Sequence, residues 1–197
     1  MFSFDTIDPN GFTPENRYKF LTGTVVPRPI ALVTSLGSDG VVNAAPYSQF
    51  IIISATPAML GIVAGQHPSG DKDTKRNIAE SGEYVINVTS EDMADQVQLC
   101  AHPFPPEISE VKEAGFNTVP SVRIRTPRIA EAPVQFECRL HQMLRFGETA
   151  TLIVGEVVLV HARSGIVSGH RVDHAMLRPL GRIAGRRYCR TQDVIEA

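Results

Sequence analysis

Residues 134–165 read VQFECRLHQMLRFGETATLIVGEVVLVHARSG, two long strand-forming runs joined across Gly147, Glu148 and their neighbours. Such runs, separated by a glycine-bearing turn, form a long antiparallel hairpin. In the first run Phe136, Cys138 and Leu140 alternate with Gln135, Glu137 and Arg139, the period of a strand that is wet on one side. This hairpin sets the fold class. The helical segments elsewhere are too few and too short to cover both faces of a parallel sheet. A mainly antiparallel barrel with a few short peripheral helices is therefore expected, with a doubly wound parallel sheet as the weaker alternative.

The remaining segments agree. TPENRYKFLTG at 13–23 predicts a short helix, with Thr13 as cap, Pro14 at the first helical position and Gly23 as its end. IALVTS predicts a strand that Pro27 and Pro29 keep from starting earlier, and Asp39-Gly40 marks a turn. VVNAAPYSQFIIIS returns as a strand that Pro46 interrupts, and TPAMLGIVAG gives the next. DKDTKRNIAESGEYVINV predicts a helix ending near Gly82, followed by a strand. EDMADQVQLCAHP and Ser109–Ala114 read as further short helices. No repeat, linker or low-complexity run divides the 197 residues, so one domain over 1–197 is expected.

Composition narrows the function mainly by exclusion. A net charge of −2, from 19 basic and 21 acidic side chains, gives no general attraction to nucleic acid or to an anionic membrane. No apolar run approaches the ~20 residues that span a bilayer, and MFSFDTIDPNGF does not resemble a secretory signal. Cys100, Cys138 and Cys189 are odd in number and widely spaced, which suits free thiols in a reducing, cytoplasmic setting.

Four stretches carry candidate chemistry. GQHPSGDKDT at 65–74 has Gly65 and Gly70 at the spacing of a triphosphate loop, but Asp71 and Asp73 flank Lys72 and Pro68 removes a donor. A helix beginning near Asp73 offers another reading: its first N–H groups, with Lys72 and Thr74, suit one terminal phosphate monoester, and a plain capped surface helix stands beside that reading. NAAPYSQF places small residues and a proline among apolar neighbours, either as a backbone cradle for a planar heterocycle or as a strand bend. From Arg171 to Arg190 there are six arginines (171, 178, 182, 186, 187 and 190) and one carboxylate, Asp173. They suit either dinucleotide phosphates or a solvated or intersubunit face. His170 and His174, with Asp173, have a spacing that admits a metal but lack a further partner, and solvated histidines fit better; no metal site is expected. His141 and His161 sit in the predicted hairpin strands, where either could face a ligand, though a hydrogen-bonded structural histidine is the commoner case.

In order along the chain, VPRPIALVTS, NAAPYSQF, KDTKRNIAESGEYVINV, TPRIAEAPVQFECRLHQ and LRPLGRIAGRRYCRT closely resemble the flavin reductase-like family, whose fold is an FMN-binding split barrel. The resemblance runs from about Arg28 to Thr191. It implies a Greek-key split β-barrel, a homodimer, and FMN held non-covalently near the subunit interface. Asn43, Ala45, Pro46, Tyr47, Ser48, Gln49 and Phe50 would hold the isoalloxazine and ribityl portions. Lys72, Asp73, Thr74 and Asn77 would lie at the phosphate with Arg28 close by, and Arg182 and Tyr188 would approach the flavin or an incoming nicotinamide. Family members often carry a basic residue where this chain has Asp71. The implied activity is NAD(P)H-dependent flavin reduction, with NADH or NADPH as donor and a partner oxygenase as one possible acceptor. A non-catalytic FMN-binding module, reduced by another protein, is the alternative. Such chemistry explains why no catalytic triad or paired acid and base is found.

Overall fold

The computed structural model describes residues 2–65 and 72–195. Gly70, Pro68 and Asp71, weighed above as parts of a phosphate loop, lie outside the described residues. A 3₁₀ turn at Pro9–Gly11 precedes helix α1 (Pro14–Thr24). Strands β1 (Arg28–Pro29), β2 (Ala31–Leu36), β3 (Val42–Tyr47), β4 (Phe50–Ala55) and β5 (Ala58–Gly65) follow. Helix α2 (Asp73–Ser81) leads into β6 (Glu83–Val88), and a turn at Glu91–Met93 runs into α3 (Ala94–Leu99) and then α4 (Glu110–Glu113). Short β7 (Thr118–Val119) and β8 (Arg128–Ile129) precede the long pair β9 (Val134–Phe146) and β10 (Ala150–Ala162). The tail holds β11 (Val167–Ser168), β12 (Arg171–Val172), α5 (His174–Leu177), β13 (Leu180–Arg182) and β14 (Tyr188–Arg190).

Seven strands form one sheet in the order β3-β2-β6-β9-β10-β5-β4, with every neighbouring pair antiparallel. This rules out the parallel alternative. The sheet is also forced to close. Laid flat, its edge strands β3 and β4 would stand six spacings apart, about 29 Å. Yet only Ser48 and Gln49 join them, and three Cα steps span at most about 11 Å. The connection therefore holds the two edges together, and the Gln49 carbonyl accepts from Val63 N–H of β5 at 2.9 Å. A small second sheet, β1-β13-β14, lays the C-terminal tail beside the start of β2, pairing Arg28 with Arg182.

Closure gives the sheet an inside and an outside, and the sequence buries both. Ala31, Val33, Ile62, Tyr84, Ile86, Cys138 and Ile153 fill the barrel together with Ile78 of α2. The alternate residues Ile30 and Leu32 pack outward with Ala44 against Met93, Val97 and Cys100 of the α3 region and Val111 of α4.

Three expectations need correction. Pro46 does not break its strand: it pairs with Leu32 inside β3. An edge strand tolerates a residue without an N–H, and the chain leaves the ladder two residues later, at Ser48. The outer face of β9 is not wet along its length. Gln135 and Glu137 are buried under the 118–132 segment, where Gln135 Nε2 donates to the carbonyls of Ile129 (2.8 Å) and Ala132 (3.0 Å). Gly23 does not end α1, which runs to Thr24, although Thr13 does accept from Asn16 N–H at 3.3 Å and Pro14 does open the helix.

Candidate functional site

The crossing from β3 to β4, the start of α2, the β13–β14 turn and the Cys100–Phe104 stretch converge on one cleft with two compartments. Pro46, Lys72 and Ala101 line both. The larger, of about 590 Å³, holds Arg28, Tyr47, Ser48, Gln49 and Arg182. The smaller, of about 350 Å³, holds Asn43, Ala45, Asp73 and Thr74 with Glu110 at its floor. Cavities of this size accommodate small molecules and cofactors.

Eleven of the fourteen residues named from the sequence line this cleft. Phe50, Asn77 and Tyr188 do not. Phe50 packs against the barrel interior, and Asn77, one turn along α2, donates to Ser35 Oγ at 3.3 Å. Tyr188 stands behind Arg182, donating its hydroxyl to Gln98 Oε1 at 3.0 Å.

The two ends of the cleft differ electrically. At the α2 end, the first hydrogen bond of the helix runs from Arg76 N–H to the Lys72 carbonyl, leaving earlier N–H groups outside the helical ladder. Lys72 occupies the N-cap without a side-chain acceptor. The ammonium of this exposed lysine leans over the Tyr47 ring, 5.6 Å from its centre, and desolvation there holds its pKa below the ordinary lysine value. Asp73 is neutralised within the helix by Arg76 at 2.6 Å. The helix dipole and Lys72 thus leave this end attractive to an anion.

Behind it lies a buried polar network. The Asn43 amide oxygen accepts from Thr74 Oγ1 (2.8 Å) and Ala44 N–H (3.3 Å), while its nitrogen donates to Glu110 Oε1 (3.2 Å). Glu110 Oε2 accepts from Ala44 N–H at 3.1 Å. Burial pushes the Glu110 carboxyl above its ordinary pKa against the opposing pull of its own backbone N–H and that of Ala44. Thr74 is 1% exposed, so its hydroxyl serves the network rather than the open cleft. Burial also pushes the Tyr47 phenol up to about 12, and among the described residues its buried hydroxyl has no partner.

At the other end Arg28 and Arg182 are committed to the framework, as are Arg178 and Arg190 elsewhere in the tail. Arg28 donates to the carbonyls of Thr22, Val25 (2.6 Å) and Ile183 (2.9 Å) and to Ser48 Oγ (3.3 Å), tying α1, the tail and the β3–β4 crossing together. Arg182 stacks on Tyr188 at 4.6 Å and donates to its hydroxyl and to the Gly185 carbonyl. Arg178 and Arg190 approach Glu91 at 3.0 and 3.5 Å.

Sequence reasoning missed Glu110 and the Cys100–Phe104 wall. Ser109-Glu110 at a helix start looks like ordinary capping, and only the fold brings Glu110 under Asn43. Elsewhere, Asp173 caps α5 through Met176 N–H at 3.0 Å, and His170 and His174 are exposed. His161 pairs with Glu137 at 2.6 Å. Among the described residues no group of three His, Cys, Asp or Glu is placed to hold a metal, and no helix is long and apolar enough to cross a membrane.

Residues 22–183 match the family model described as flavin reductase like domain. An uncharacterised protein of Halalkalibacterium halodurans is 37% identical over 188 residues, covering 92% of this chain and 90% of its own. Nitrilotriacetate monooxygenase component B from Bacillus cereus superposes over 100% of both chains with a TM-score of 0.96 and 32% identity. The 2-nitrobenzoate 2-nitroreductase of Pseudomonas fluorescens gives a TM-score of 0.90 at 37% identity, over 98% of this chain and 95% of that one.

Proposed function

Because the chain belongs to the flavin reductase-like family of split-barrel proteins, we propose that it is an NAD(P)H-dependent flavin reductase that uses FMN. The observation carrying this reading is a single cleft that joins an anion-attracting helix start to a small-residue wall. The donor set fits FMN. Lys72 and the first N–H groups of α2 match one phosphate monoester. Ala45 and Pro46 present little bulk to a planar ring, and Ser48, Gln49 and the backbone around the crossing offer polar contacts to its edge. Bound FMN would supply the ring that accepts hydride from a reduced nicotinamide and passes electrons onward. The chain contributes orientation. The Asn43–Thr74 bond fixes α2 against β3, Glu110 fixes α4 against β3, and Arg28 fixes the crossing against the tail, so the walls are set before a ligand arrives.

In this proposal the protein acts in the cytoplasm as a homodimer, with residues 1–197 forming one domain. Support for the dimer comes from edge strand β4, where Ile51, Ile52 and Ile53 are 54%, 78% and 39% exposed, an uncovered apolar edge of the kind that proteins pair or shield. Likeness to a monooxygenase component favours an oxygenase as recipient of the electrons. The test is anaerobic mixing of the FMN-loaded protein with NADH or NADPH. Bleaching of the visible flavin band is expected with at least one donor. Flavin uptake without nicotinamide oxidation would instead favour a passive FMN-binding module.

A further inference from the structure

The tail arginines are not equivalent once folded. Arg178 and Arg190 share Glu91, and Arg182 is held by Tyr188 and the Gly185 carbonyl. Arg186 and Arg187 differ. Both are exposed, both sit in the β13–β14 turn, and among the described residues neither guanidinium has a carboxylate partner. Their turn is also the rim of the cleft, since Gly185 and Arg182 line the larger compartment.

The turn is braced. Ile183 N–H donates to the Arg187 carbonyl and Arg187 N–H to the Ala184 carbonyl, both at 3.0 Å. Gly185 takes φ +58°, a conformation open to glycine. The Arg182 fork grips the Gly185 carbonyl from inside, and Arg28 holds the Ile183 carbonyl at 2.9 Å. Four framework contacts thus hold a turn that borders the cleft through Gly185 and carries two adjacent exposed arginines without a carboxylate partner among the described residues, in a chain whose net charge is −2.

Resting on the flavin reductase reading, we propose that Arg186 and Arg187 bind the diphosphate bridge of the incoming nicotinamide dinucleotide. Guanidinium forks match phosphate oxygens in shape and charge. A nicotinamide seated in the cleft has its diphosphate one ribose away, which brings it to the rim rather than the floor. The pair would therefore govern capture of the donor and leave FMN binding to the α2 end. NADH and NADPH share the diphosphate, so the two arginines would serve both.

The test compares wild type with R186Q/R187Q, both loaded with FMN. Reduction is driven by NADH, by NADPH and by 1-benzyl-1,4-dihydronicotinamide, which has the same reacting ring and no phosphate. The KM for both dinucleotides is expected to rise about tenfold or more, with kcat, FMN affinity and the rate with the benzyl donor unchanged. ADP-ribose, the diphosphate-bearing fragment, should bind wild type in calorimetry and bind the variant about tenfold more weakly. Unchanged KM and ADP-ribose affinity overturn the inference, as does an equal loss with the benzyl donor, which would mean a disturbed turn. Wild type that oxidises no donor overturns the flavin reductase reading itself, a result distinct from these.

Discussion

Lys72 and Thr74 are neighbours in sequence, yet their environments assign them different work. Lys72 projects toward the cleft with its ammonium over Tyr47, whereas the Thr74 hydroxyl is spent on Asn43. Lys72→Ala should weaken FMN binding by about 2 kcal/mol, the worth of a charge-assisted hydrogen bond, and leave the melting temperature nearly unchanged. Thr74→Ala should do the reverse. It strips a buried amide of a partner and should cost about 1–2 kcal/mol of stability, read by denaturant unfolding of the ligand-free protein. Equal effects of both changes on affinity would contradict this division. From the sequence, Lys72 and Thr74 look alike as phosphate contacts, because the partner of Thr74 lies 31 positions away on another strand.

Among the elements, the long hairpin was legible from its alternation, and so were both ends of α2, since Lys72 opens it and Gly82 closes it at φ +70°. The outer face of β9 was not. Alternating polarity says which residues share a face, but not that a later-placed segment will cover it. Glu137 shows the consequence. Fully buried, it accepts from Val122 N–H (2.8 Å) and Arg123 N–H (2.7 Å) and pairs with His161. Burial by itself would raise its pKa, but these donors outweigh it and hold the carboxyl below its ordinary 4.5. A carboxylate with a depressed native pKa stabilises the fold above its unfolded pKa, and that contribution disappears as pH falls through the native value. Glu137→Gln should therefore cost about 2–3 kcal/mol at neutral pH. The gap from wild type should close as the pH drops below 4.5, as followed by thermal unfolding across the acid range. A gap independent of pH would place the effect in packing instead.

At the scale of the molecule, the sequence conveyed a mainly antiparallel fold but not the reason it closes. That reason is topological: β3 and β4 lie at opposite edges and only two residues connect them. Pro46 drew attention as a break, while the true departure came at Ser48. The isoleucines of β4 are left exposed, and a homodimer through that strand predicts that Ile52→Glu shifts the protein to monomer in sedimentation velocity. An unchanged oligomeric state would remove β4 from the interface. The account as a whole depends on one binding event, in which the strand crossing and the start of α2, distant in sequence, close on a single FMN. Its most direct test is a titration of flavin-free protein with FMN, followed by quenching of flavin fluorescence. Saturation at one FMN per chain is the predicted result, and fluorescence that stays that of free FMN, even with protein in excess, would contradict it.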